Sequence, residues 1–190
     1  MELPPSFENL TGLKRLVLGN HSVGVHLLSS IYKLQQIEIL LFIGNVIFPK
    51  DVKIDRQPLY NSYGGSSNFV FSSLKDLGIQ DFTIRSEIDF FLYSCCPLSL
   101  GTLNIYESNV LAIQERISRF EILCRFYIRN CTELQEIPKL PESVRELDAT
   151  NCLLLDSQSS SKLFLQVFLS LSLLKLSRNN FCYVPSQIHY

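Results

Sequence analysis

Leu13-Lys14-Arg15-Leu16-Val17-Leu18 and Ile37-Glu38-Ile39-Leu40-Leu41-Phe42 share one frame, with apolar residues at its first, fourth and sixth positions. Each is followed by a ninth position, His21 or Asn45, and an apolar eleventh, Val23 or Ile47. The frame opens again at Leu74, Leu100, Leu123, Val144 and Leu171, giving seven copies spaced by 24, 37, 26, 23, 21 and 27 residues. Positions one, four, six and eleven make 28 slots, of which 27 are apolar; the exception is Glu133, followed directly by Leu134. A chain that is 46% hydrophobic would fill about 13 of them by chance, so the periodicity, not the composition, carries the pattern.

The frame has a physical meaning. Its short apolar-x-apolar core has period two, so two side chains point to one face and the residues between them to the other. Stacked copies would form a parallel sheet whose inward residues run as ladders, as in a leucine-rich repeat. The predicted fold is therefore α/β, a leucine-rich-repeat solenoid or horseshoe with a concave parallel β-sheet and an irregular, short-helical convex side. The ninth position reads His21, Asn45, Phe82, Ser108, Cys131, Cys152 and Asn179. A buried amide there can satisfy backbone groups that no strand pairs, with Cys as a small, weakly polar substitute. The connecting halves agree: Leu27, Ile31, Leu34 and Ile37, like Ile113, Ile117, Phe120 and Leu123, follow a spacing of 4, 3 and 3. Proline after the first apolar residue of such a half (Pro4, Pro138, Pro185) bars a long helix, so turns and 3₁₀ pieces are expected. Residues 1–190 read as one array of about seven repeats. Two segments strain it: an insertion at about 48–72 with a Gly-Gly-Ser-Ser loop, and an atypical Ser-rich, then apolar, segment at 153–170.

Composition narrows the function. Seventeen Lys and Arg against 18 Asp and Glu leave a net charge of −1, so no basic field attracts nucleic acid or an anionic membrane. The longest apolar run, Leu163 to Leu174, is too short to span a bilayer, and Met1-Glu2-Leu3-Pro4-Pro5 is no secretory signal. Without a signal peptide or a CxxC pair, and with Cys95 and Cys96 adjacent, the six cysteines read as reduced thiols.

Two stretches resemble a known family. Leu3 to Leu18, LPPSFENLTGLKRLVL, and Arg119 to Cys152, RFEILCRFYIRNCTELQEIPKLPESVRELDATNC, are similar to the repeats of plant TIR-NB-LRR disease-resistance proteins. The second matches their closing "NCxxLxEIPxLPxSxxxLDAxNC" passage. With Leu100 to Val110 the resemblance covers a little over half of the chain. It implies a protein-binding recognition module of an intracellular immune receptor, in the cytoplasm or the nucleus. The implied partner is a pathogen effector, a host guarded protein, or the receptor's own nucleotide-binding domain. The chain departs from the family in lacking TIR and nucleotide-binding domains, with no GxxxxGK[ST] motif, and in resuming a repeat after Cys152. Starting and stopping in mid-repeat, it reads as a fragment or truncated product, and an uncapped array is expected to fray or self-associate. Alternative readings are a substrate adaptor of a ubiquitin ligase and a truncated remnant without activity.

Solenoids of this kind bind through residues between the ladder positions. On the second strand these are Ile39, Leu41 and Ile43, an apolar patch. Toward the C-terminus they are Tyr106, Arg125, Tyr127, Arg129, Glu146 and Asp148, rich in the Tyr and Arg that anchor interfaces. The bland alternative is that Arg125 and Glu146, neighbours across parallel strands, simply pair with each other. No enzyme is indicated, and no metal site or cofactor. His21, His26 and His189 lack metal-ligand spacing, Cys131 and Cys152 fall on one ladder as packing thiols, and the carboxylates Glu142, Glu146 and Asp148 fall on a turn and a solvated strand.

Overall fold

The computed structural model describes residues 5–20, 24–27, 29–49, 71–155, 173–176 and 181–183. Its main sheet has eight strands in chain order, β1 (Arg15–Gly19), β3 (Ile39–Ile43), β5 (Asp76–Gln80), β6 (Thr102–Tyr106), β7 (Arg125–Arg129), β8 (Glu146–Ala149), β9 (Leu173–Leu176) and β10 (Phe181–Tyr183). A small pair, β2 (Val25–His26) and β4 (Val46–Ile47), flanks it. The first seven strands of the main sheet run parallel, and each begins two residues after the opening residue of one of the seven frames. The register keeps the frame: Leu16, Leu40, Leu77, Leu103, Phe126, Leu147 and Leu174 face one another strand by strand. Leu16 through Leu147 in that row are all buried, as are Leu18, Phe42, Ile79, Ile105, Ile128 and Ala149 in the next. Full burial of such a side chain stabilises by about 1.5–3 kcal/mol, so the ladders set the register.

The last strand, β10, runs antiparallel to β9, with Phe181 opposite Leu176. The frame slips in the sixth copy. Leu154, at the eleventh position, is exposed, and Leu155 packs against the core in its place. In the fifth copy Glu133 is likewise replaced by the buried Leu134.

The turn that ends each strand is built from two backbone features. Position eight is left-handed in five consecutive copies: Gly44, Asp81, Glu107, Asn130 and Asn151 have φ between 50° and 71°. The amides of the first four donate to Gln80, Tyr106, Arg129 and Thr150 carbonyls of the next copy, extending each ladder by one bond. Position nine then does what its composition implies. Asn45 Oδ1 accepts from the Thr83 amide at 2.9 Å, and Ser108 Oγ accepts from the Phe82 amide at 3.1 Å. The Cys131 and Cys152 thiols are buried and donate to the Ile105 and Ile128 carbonyls. His21 lies outside the described residues.

The connections are short 3₁₀ turns (Pro5–Asn9, Ser29–Lys33, Glu115–Arg119), with one α-helix, α1 (Arg85–Ser94). That helix sits in a repeat of 26 residues, against 23 and 21 for the two that follow, which leaves room for full helical turns. Ile88, Phe91, Leu92 and Cys95 recur at helical spacing and are buried. Its C-terminus is held by Arg119, whose guanidinium donates to the Tyr93 and Cys96 carbonyls at 2.9 and 2.7 Å, where the helix dipole favours a cation. The ends of the insertion are anchored as well. Phe48 and Phe71 pack on Phe91 with ring centroids 4.7 and 5.6 Å away, and the buried Glu87 carboxylate accepts the Phe48 amide. Most of the 48–72 and 153–170 segments lies outside the described residues.

Candidate protein-binding face

One face of the sheet is sealed by the ladders, and the other carries the residues between them. Three rows cross it. The first runs Arg15, Ile39, Asp76, Thr102, Arg125 and Glu146; the second Val17, Leu41, Gly78, Asn104, Tyr127 and Asp148. The third runs Gly19, Ile43, Gln80, Tyr106 and Arg129. All nine sequence-predicted residues lie on this face, on β3, β6, β7 and β8.

Their environments differ from what their types suggest. Ile39, Leu41 and Ile43 are half-buried, and the most open apolar side chain beside them is Val17, 61% exposed. Leu41 leans across Gly78, so that a Cβ built there would meet its Cδ1 at 2.7 Å. The apolar patch therefore extends from β3 over β5, a consequence of a missing side chain one strand away.

The charged cluster is wired diagonally. Arg125 and Glu146 are opposite in register but form no bond; Glu146 instead accepts from the Tyr127 hydroxyl. Arg129, likewise two residues offset, donates to Asp148 Oδ2 at 2.9 Å and lies 4.6 Å over the Tyr127 ring. Diagonal neighbours in a sheet are about 7–8 Å apart, within reach of long side chains, and the twist of the strands brings them closer. Burial, then the carboxylate beside it, pushes the Tyr127 phenol up to about 12, so it remains a donor at neutral pH. Asp148 does not sit on a solvated strand as its position implied. It is 3% exposed, with Oδ1 accepting from the Thr150 amide and hydroxyl, so it organises the face from beneath. Thr150, at the seventh position of the sixth frame, falls between the ladder positions by alternation, and its role is to bond Asp148.

The other half of the face is not self-satisfied. Among the described residues, the exposed Arg125 side chain makes no hydrogen bond or ion pair, its charge acting on the Tyr127 phenol beside it, and the Tyr106 hydroxyl makes no hydrogen bond. Asn104 Oδ1, between these two strands' polar groups, is buried without a hydrogen-bond partner. No three His, Cys, Asp or Glu side chains among the described residues come together to hold a metal ion. Cys131 and Cys152 pack against each other, and the hydrogen bond with Cys131, then burial, raises the Cys152 thiol.

The chain matches no known protein family, and no curated protein. Among solved structures it is similar to an LRR protein of Leptospira interrogans, at 15% identity and a TM-score of 0.40. The match covers 89% of this chain and 50% of that one, so the chain spans about half the length of that protein.

Proposed function

We propose that the chain is a leucine-rich-repeat solenoid acting as a protein-binding module, with the open, concave face of its sheet as the recognition surface. The observation that carries this is the juxtaposition on one rigid sheet of an apolar patch (Val17, Ile39, Leu41) with polar groups left without partners at Asn104, Tyr106 and Arg125. Of these, the exposed Arg125 and the Tyr106 hydroxyl are within a partner's reach, and Tyr and Arg are the residue types that most often anchor an interface. The rigid scaffold keeps the ordering cost of binding low.

The resemblance of Leu3–Leu18 and Arg119–Cys152 to plant TIR-NB-LRR repeats supports a finer reading. The module serves an intracellular immune receptor, in the cytoplasm or nucleus, and meets an effector, a guarded host protein or the receptor's nucleotide-binding domain. It has no catalytic role of its own. The test is transient co-expression in leaf tissue with candidate effectors. Effector-dependent cell death should change with this chain present and revert with Tyr106→Ala/Arg125→Glu. No change with any effector, or a change that these substitutions leave intact, would remove the immune reading.

A further inference from the structure

The ninth position holds Ser108 in one copy and a thiol in each of the next two, and those two thiols touch. Arg125 and Glu146 are in register, and the Asn130 amide bonds the Thr150 carbonyl, so the pairing of β7 with β8 carries through to the turns where Cys131 and Cys152 stand. Both are buried, and a hydrogen bond joins their side chains. Neighbouring parallel strands lie about 4.8 Å apart, which puts the two Cα atoms inside the roughly 4.4–6.8 Å that a disulfide spans. Their Cβ atoms, stacked at the same spacing, must close to about 3.8 Å.

The turn that carries Cys152 is the one able to move. Its amide reaches the Ala149 carbonyl at 3.4 Å, and the Leu155 amide reaches the Cys152 carbonyl at 3.3 Å. The matching bond of the preceding copy, from the Leu134 amide to the Cys131 carbonyl, is 3.0 Å. Leu153 and Leu154, next in the chain, are exposed, so this stretch contributes little burial to hold the turn down. When it opens, Cys152 loses the burial and the Cys131 hydrogen bond that raise its thiol. Peroxide, little larger than water, passes an opening that keeps a bulky thiol reagent out.

We propose that Cys131 and Cys152 form a reversible, peroxide-driven disulfide that ties the fifth repeat to the sixth. Cys152 Sγ attacks a peroxide oxygen, giving a sulfenic acid and one water. Cys131 Sγ then displaces the sulfenic hydroxyl, forming the S–S bond, and the hydroxyl leaves with the Cys131 proton as a second water. The two thiols give up two electrons, and the peroxide is reduced to water. The product is neutral, which suits a buried site, whereas a metal ion held between two thiolates would leave charge there. Tyr127, Arg129, Glu146 and Asp148 lie on the strands that end in these turns, so the bridge fixes the far ends of the charged cluster's own strands. The proposal stands independently of the binding-face reading.

The test is treatment of the folded Cys124→Ser/Cys182→Ser chain with hydrogen peroxide, followed by alkylation in denaturant, tryptic digestion and mass spectrometry. Residues 130–139 and 146–162 should appear as one linked species, lighter than the two free peptides together by two hydrogens, and should separate on reduction. The oxidised chain should melt about 5–10 °C above the reduced one, and dithiothreitol should reverse the shift. Recovery of the two peptides unlinked, with alkylated thiols or with oxygen on each sulfur, would overturn the proposal. So would a link that forms only after the chain has been unfolded in urea.

Discussion

Glu146 faces Arg125 across β7 and β8, yet it accepts its hydrogen bond from Tyr127, two residues along. The same offset joins Arg129 to Asp148, and together these bonds decide which groups on the face are committed and which are open. Cα register alone would have assigned the wrong partners and hidden the free guanidinium.

Asp148 should be the costliest position of the cluster. Its side chain is 5% exposed and bonds Arg129 and Thr150. Asp148→Ala should destabilise by about 1–3 kcal/mol, because the part-buried Thr150 amide and hydroxyl, and Arg129, lose their shared acceptor. Arg129, 38% exposed, can reach water, and Arg129→Ala should cost less than half of that. Urea unfolding of both single variants and the double variant would give the coupling, expected at about 0.5–3 kcal/mol.

The turn after β6 depends on one hydroxyl. Ser108 Oγ accepts the Phe82 amide and donates to the Tyr106 carbonyl. Ser108→Ala leaves the buried amide unpaired and should cost about 1–3 kcal/mol by thermal or urea melting. Ser108→Cys should cost less, since Cys131 and Cys152 hold the same position in the next two copies.

Helix α1 should loosen from its C-terminal end when Arg119 is truncated. Arg119→Ala should speed amide exchange at Cys95 and Cys96, whose N–H groups bond the Phe91 carbonyl in the last turn. Arg119→Lys should restore part of the protection by supplying a cation but not the forked geometry.

Thiol chemistry gives a pH signature. Burial pushes the Cys95 thiol up to about 12, and Cys96 rises well above its ordinary range for the same reason. A neutral thiol in the fold and an ionised one in the unfolded chain mean that unfolding releases protons above the unfolded value of about 8.5. Stability should therefore fall as pH rises from about 8.5 toward 12, with a limiting slope near 1.4 kcal/mol per unit for each such thiol. In a Cys182→Ser protein at pH 8, a thiol reagent should label the exposed Cys124 rapidly. Cys95, Cys96, Cys131 and Cys152, all buried, should react only on unfolding.

Much of the sheet was written in the sequence. A period-two core repeated at nearly regular spacing leaves one solution, parallel strands with aligned leucines, and each strand begins where its frame predicts. The backbone turn at position eight was half visible. Gly44, Asp81, Asn130 and Asn151 are residue types that enter the left-handed region readily, whereas Glu107 is not, and it broke the pattern at the composition level. Helix α1 was not placed because its apolar residues serve equally well in a turn-rich connection; the spare length of its repeat and the Arg119 cap decide between them. On the binding face, residue positions followed from alternation, but bonding did not. Whether Arg125 meets Glu146 depends on side-chain length and strand twist, and the burial of Asp148 depends on Thr150 and Arg129 closing over it.

The central claim is that partners meet the open face of the sheet and not its far side. It is tested most directly by placing a photo-cross-linking residue at Tyr106 on β6 or at Glu115 in the third 3₁₀ turn, and irradiating each protein with a peptide selected for binding to the chain. Cross-linking from position 106, competed by excess unlabelled peptide and absent from position 115, is the predicted result. Cross-linking from position 115, with none from 106, would place recognition on the other side of the repeats and contradict the account.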